Sequence, residues 1–218
     1  TSLGSAVFWN VPLAGHLVLT NAGPITLIGD SQFWATKITS ATLGCGVTNI
    51  PYEMFWNCTS LGAVSMSDNV QSIGTFAFFF DTSLTNVAPL LPSELTNLGG
   101  AAFFNCPFAG DLVVGNAGPV TFIPDSQFYG AKIASATLGV GVTNLPASIF
   151  ESCTGLRRVY FCGCPALGSS VFRSTANYQM RTYIPRGHAE WQPITESQVT
   201  ALTADEVAAF QAAYPGEV

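Results

Sequence analysis

Apolar residues recur along this chain with a long and regular period. Phe8, Phe33, Phe55, Phe78, Phe103, Phe128, Phe150 and Phe172 follow at intervals of 25, 22, 23, 25, 25, 22 and 22 residues. An aliphatic stands five residues before each: Leu3, Ile28, Ile50, Ile73, Leu98, Ile123, Leu145 and Leu167. A repeat of this length marks a solenoid, whose units bury their apolar faces only by stacking on one another. A second apolar group follows each Phe. Leu61, Val64 and Met66 show its spacing, as do Ile38, Ala41 and Leu43, Ile133, Ala136 and Leu138, and Leu156, Val159 and Phe161. Two longer units carry Leu17 and Leu19, and Leu112 and Val114. The final alternation has period two and predicts a short strand with one face inward. Turn residues follow it, as in Asn21-Ala22-Gly23-Pro24 and Asn116-Ala117-Gly118-Pro119. One strand and one turn per unit predict a right-handed coil of about eight repeats with a parallel sheet on one face. At strand spacing it would be roughly 40 Å long.

The repeat has a higher order. Residues 13–61 and 108–156 align without a gap at an offset of 95, so the chain reads as a duplicated four-unit block. The solenoid is expected over residues 1–185, with a C-terminal capping segment over 186–218. Thr203 and Glu206 form a T-x-x-E capping box. Val207, Phe210 and Tyr214 make one apolar stripe, and Pro215-Gly216 stops it. These residues predict a short helix over about 204–214 that covers the last coil; the alternative is the start of a further domain.

The segments "LIGDSQF", "NIPYEMFWNCTSL", "SIGTFAFFFDTSL" and "NLPASIFESCTGL" resemble the BspA-like leucine-rich repeats of bacterial cell-surface proteins. That unit runs roughly I-G-x-x-A-F-x-x-C-x-x-L, then a strand and a turn. The likeness extends from about Leu3 to Pro185. It implies an α/β leucine-rich-repeat solenoid and a non-catalytic recognition or adhesion module, extracellular or at the cell surface, that binds a protein or a glycan. The chain departs from the pattern in its low charge and in lacking the Cys in the units of Phe33, Phe78 and Phe128.

Only 9% of residues are charged and the formal net charge is −6, against roughly 25% charged in an ordinary domain. Such a surface speaks against nucleic acid and anionic membranes as partners. No apolar stretch approaches the ~20 residues of a membrane span, so no membrane insertion is expected, and the chain is expected to be monomeric. It opens inside a repeat at Thr1-Ser2-Leu3, which suggests processing or truncation after an export signal or earlier repeats.

Cys58, Cys106 and Cys153 each stand three residues after a repeat Phe and share one slot, where a free Cys behaves as a small buried hydrophobe. Cys162 and Cys164 form a C-x-C, a weak metal signal. Cys45 matches Val140 at the offset, which again suggests an apolar slot. His16 corresponds to Asp111 at the offset, and His188 lies in the tail. Neither sits in a nucleophile, zinc or P-loop motif, and both read as solvated. Asp30 and Asp125 occupy equivalent turn positions. No enzyme, cofactor or metal site is therefore expected.

The residue after each repeat Phe is more distinctive: Trp9, Trp34, Trp56, Phe79, Phe104, Tyr129, then Glu151 and Arg173. Side chains at one repeat position form a ladder, which either packs between coils or stands out as an aromatic stripe. The outward strand positions, from His16 and Val18 through Ser135 and Thr137, are mostly small and neutral until Arg158 and Tyr160. Trp9, Trp34, Trp56, Tyr129, Arg158 and Tyr160 are the candidate ligand-binding residues. A spacer or targeting module of a larger surface protein is the alternative function. With each core filled by its own Leu, Ile and Phe, no cavity is expected along the axis.

Overall fold

The computed structural model describes residues 2–19, 27–88, 91–114, 124–139, 142–175, 180–183 and 199–201, together with Asp205, Ala208 and Ala212. Within them the strands are β1 (Ser2–Leu3), β2 (Ala14–Leu19), β3 (Leu27–Ile28), β4 (Lys37–Leu43), β5 (Asn49–Ile50), β6 (Ala63–Met66), β7 (Ser72–Ile73) and β8 (Asn86–Ala88). There follow β9 (Asn97–Leu98), β10 (Ala109–Val114), β11 (Lys132–Leu138), β12 (Asn144–Leu145), β13 (Arg158–Phe161), β14 (Ala166–Leu167), β15 (Met180–Tyr183) and β16 (Val199–Ala201). All pairings are parallel. The longer strands form two sheets, β2-β4-β6-β8 and β10-β11-β13-β15-β16, and the two-residue strands form three small ones. The chain is thus a parallel β-solenoid.

The strands follow the expected alternation. Ile38, Ala41, Leu43, Val64 and Met66 point inward and are buried, as are their counterparts Ile133, Ala136, Leu138, Val159 and Phe161. Strand bounds repeat at the offset of 95: β2 and β10, β4 and β11, β5 and β12, and β6 and β13 correspond. So does a bulge. Gly15 pairs with Ile38 and His16 with Ser40, leaving Thr39 opposite nothing; Gly110 and Asp111 repeat this against Ile133 and Ser135. Gly15 and Gly110 adopt φ of 94° and 101°, which favours glycine.

The other side of each coil differs from the expected α/β arrangement. Instead of helix it carries turns centred on the repeat Phe. The residues two before and two after that Phe have positive φ: Ala6 and Asn10, Ser31 and Ala35, Glu53 and Asn57, and so on to Ser170 and Ser174. A helix requires φ near −63°, so these paired left-handed residues exclude one. Their backbone bonds run between coils. Glu53, Phe55 and Asn57 donate N–H to the carbonyls of Thr75, Ala77 and Phe79 at 3.1, 2.8 and 2.8 Å. The coils approach so closely that a Cβ on Gly99 would lie 2.1 Å from the Thr75 nitrogen. The expected C-terminal helix lies mostly outside the described residues; Asp205, Ala208 and Ala212 within it are helical and exposed.

The core is a column of phenylalanines between the two sides. Phe8, Phe33, Phe55, Phe78 and Phe103 stack at 5.5, 5.5, 5.4 and 5.2 Å between ring centroids. Between Phe103 and Phe128 the stacking changes. Phe108 inserts there, edge-on to both rings at 6.0 Å. Stacking resumes from Phe128 through Phe150 to Phe172 at 6.0 and 5.8 Å.

Candidate functional site

The turn that buries each Phe aims the next residue outward, which builds a second aromatic column on the surface. Trp9, Trp34, Trp56, Phe79, Phe104 and Tyr129 are neighbours at successive centroid distances of 5.3, 5.3, 4.7, 4.8 and 4.3 Å. Trp9 is 54% exposed, and the other five are half-buried. Phe76 packs edge-on against Trp56 and Phe79, and Tyr52 edge-on against Phe76. Tyr52 and the adjoining Phe80 are 43% and 39% exposed. The ladder is therefore both packed and exposed: Trp9, Trp34, Trp56 and Phe79 meet at tilted angles, Phe79, Phe104 and Tyr129 stack, and all six keep part of their surface in solvent.

At the sixth ring the column changes chemistry. Glu151 takes the next place and is buried, and Arg173 takes the one after. The Arg173 Nε donates to Glu151 Oε1 at 2.7 Å, and its Nη2 pairs with the same oxygen. A hydrogen bond with Ser148 and the Arg173 guanidinium hold the Glu151 carboxyl below its ordinary range.

The sheet face offers less than the sequence suggests. Arg158 is exposed, but Tyr160, expected as an outward anchor beside it, is buried. Ser135 and Thr137 on the same sheet are buried as well, whereas their counterparts Ser40 and Thr42 are half-buried. The outward face of the second sheet is thus covered at these positions, and Tyr160 presents no free ring. On the first sheet the exposed His16 meets Ser40 Oγ through Nδ1 at 2.6 Å and Thr42 Oγ1 through Nε2 at 3.2 Å. Its place in the second sheet is held by Asp111, which accepts from Ser135 Oγ. The Ser–His contact resembles half of an acyl-transfer pair, but the second His16 nitrogen faces a hydroxyl where such a pair requires a carboxylate.

The cysteine slot is buried as expected, and it is polar. The thiols of Cys58, Cys106 and Cys153 donate to the carbonyls of Phe33, Phe78 and Phe128 in the preceding coil at 2.9, 2.8 and 3.0 Å. Two of the other units fill the slot with Thr36, which bonds Cys58, and with Asp81, which accepts the Cys58 N–H at 2.7 Å. Burial, with the Asp81 charge second, pushes the Cys58 thiol up to about 12, and burial does the same to Cys153. Burial also raises the Asp81 carboxyl well above its ordinary range. The Asp81 replacement sits in the sequence at the right register, but its role as a slot-filler shows only once the slot is seen to donate to carbonyls. Among the described residues no group of three His, Cys, Asp or Glu side chains is placed to hold a metal ion.

Comparison with known proteins fits this architecture. The profile of the BspA type leucine rich repeat region matches residues 1–109 and 90–187 and counts six copies, two fewer than the eight units expected from the phenylalanine spacing. The crystal structure of the leucine-rich repeat protein of Treponema pallidum is 26% identical, with a TM-score of 0.63 over 73% of this chain and 75% of that one. A leucine-rich repeat protein from Bacteroides ovatus is 17% identical, with a TM-score of 0.59 over 85% of this chain and 56% of that one. No curated protein sequence matches the chain significantly. The chain belongs to the BspA-type leucine-rich repeat family.

Proposed function

We propose that this member of the BspA-type family is a non-catalytic recognition module, extracellular or at a cell surface, that binds a protein through its extended turn-side surface. The observation that carries the reading is the unbroken aromatic stripe from Trp9 to Tyr129. Contiguous apolar surface of this kind marks contact sites, and aromatic residues supply the anchors of protein interfaces at low entropic cost. The stacking also favours protein over glycan. A sugar packs on an open ring face, and in the lower half of the column Phe79, Phe104 and Tyr129 stack face to face at 4.8 and 4.3 Å. Surface localisation is supported by the family, whose resemblance is to bacterial surface proteins.

The test is a binding screen of the chain against extracellular-matrix proteins, a glycan array and a metabolite library. A protein hit is expected, weakened by about 2 kcal/mol in Trp34→Ala if that ring is a central anchor. A metabolite hit of micromolar affinity with no macromolecular hit overturns the reading. The second reading, a spacer that projects another domain, is favoured by the continuous inter-coil bonding of the turn side; it expects no hit in any panel.

A further inference from the structure

Among the described residues the sheet of longer strands breaks between the coils of Phe78 and Phe103, at the boundary of the two duplicated blocks. β8 pairs only with β6, and β10 only with β11. Among the described residues no backbone hydrogen bond joins β8 to β10. The facing edges of both strands are therefore unpaired, although the coils that carry them are bonded on the turn side. A cavity of about 110 Å³ opens between them, with Asn86 and Val87 on one wall and Asp111 and Leu112 on the other. Phe108 and Ile133 also line it. This cavity runs against the expectation of a filled axis. It arises where Phe108, in the place of the Leu13 of the first block, turns its ring toward Phe103 and Phe128.

We propose that this break is a peptide-binding cleft for an extended, lysine-bearing segment of a partner protein. The partner's backbone lies along the unpaired strand edges, and one lysine side chain enters the cavity with its ammonium on the Asp111 carboxylate. Three observations select that occupant. Unpaired parallel edges ask for peptide N–H and C=O groups, as in strand addition. The volume is below the roughly 300 Å³ of small-molecule pockets and suits a single side chain. Its walls combine apolar Val87, Phe108, Leu112 and Ile133, on which a lysine's methylene stem can lie, with polar Thr85, Asn86 and the Asp111 carboxylate for its charged end. Asp111 is exposed and fixed by Ser135. The charge of this part of the chain agrees. Residues 1–131 hold the charged carboxylates of Asp30, Glu53, Asp68, Glu94, Asp111 and Asp125, besides the buried Asp81, against Lys37; the next cation, Lys132, pairs with Ala109 on the neighbouring strand. The inference rests on the proposed recognition of a protein partner and names the chemistry of one contact.

The experiment titrates the whole ¹⁵N-labelled chain with the blocked peptides acetyl-Val-Lys-Val-Lys-Val-amide and acetyl-Val-Glu-Val-Glu-Val-amide, each at millimolar concentration. The lysine peptide is expected to shift the amides of residues 85–88 and 109–114, and the glutamate peptide to leave them in place. Asp111→Asn is expected to weaken the lysine peptide at least fivefold. Ser135→Ala, which keeps the charge and frees the carboxylate, is expected to weaken it less. Equal response to both peptides, no response at those amides, or equal binding by n-butylamine each overturn the cleft. If Asp111→Asn does not fold, the comparison of the two peptides on the unaltered chain decides. Shifts confined to the residues around Trp34 overturn the cleft and leave the recognition surface standing. A failed macromolecular screen with cleft shifts intact does the reverse.

Discussion

At the passage from the Phe78 coil to the Phe103 coil the two sides of the solenoid behave oppositely. On the turn side Phe76, Phe78 and Phe80 donate to Gly100, Ala102 and Phe104 at 3.1, 2.8 and 2.9 Å, and the rings of Phe78 and Phe103 stack at 5.2 Å. On the strand side β8 and β10 share no backbone bond among the described residues. The coils therefore stay assembled without their sheet. The turn side is the spine of the molecule, and the sheet is the part that can be interrupted. The physical reason is density of contact. Each turn contributes several inter-coil bonds and a stacked ring within a few residues, whereas β8 is three residues long and is followed in the sequence by Pro89, which has no N–H to donate.

The spine is broken most severely at its rings. Phe78→Ala removes a fully buried ring stacked on both sides, and a loss of about 3–5 kcal/mol is expected, measured by urea denaturation. A loss under one kcal/mol would show that the rings do not carry the coil contacts. Gly99→Ala attacks the same side through the backbone. Its Cβ would meet Thr75 nitrogen and Gly74 carbon at 2.1 and 2.5 Å, and neither can swing away. A cost of about 1–3 kcal/mol follows from forced overpacking. Val87→Ala, on the half-buried strand beside the break, is expected to cost roughly 1 kcal/mol, little more than its lost methyl groups. A larger loss for Val87→Ala than for Phe78→Ala would invert the comparison.

Asp81 sharpens it through pH. The carboxyl is buried in the cysteine slot between Cys58 and Cys106, and its Oδ2 meets no donor among the described residues. Burial raises its pKa well above the ordinary carboxyl range, so the folded chain keeps a proton that the unfolded chain releases. Stability is then full below the ordinary carboxyl pKa and falls as pH rises from there toward the folded pKa. The slope is at most about 1.4 kcal/mol per pH unit for one proton. Asp81→Asn is expected to flatten that part of the profile in denaturation series taken at successive pH values. A wild-type profile that rises instead would mean that the carboxylate is charged in the fold. The smallest effect concerns thiol reactivity: at pH 8 iodoacetamide is expected to alkylate the exposed Cys45 in the native chain and to spare Cys58, Cys106 and Cys153 until unfolding. Native labelling of Cys58 would show the spine opening locally.

Much of the spine is legible in the sequence alone. The spacing of Phe55 and Ile50, or of Phe150 and Leu145, places both members of each pair inside, and all four are buried. The surface column from Trp9 to Tyr129 is legible as a ladder, but the orientation of its rings is not. Tyr160 departs from its expected role, because alternation along β13 shows that it leaves the core and not that something covers it. The shared slot of the cysteines is legible too, yet their bonds to the Phe33, Phe78 and Phe128 carbonyls join residues 25–28 apart, a separation that spacing alone does not convert into a contact.

The division follows from what a one-dimensional pattern records. Periodicity states which residues face the same way, and in a solenoid that determines the repeat, the duplicated block, the inward strand positions and the core phenylalanines. It carries no measure of the distance between one coil and the next. That distance is set by contacts across whole coils: left-handed turns at Glu53 and Asn57 in place of the expected helix, the fit of Gly99 against Thr75, and the ring of Phe108 beneath the break. Only the tertiary structure could decide that the turn side would remain continuous while the sheet parted beside Asp111.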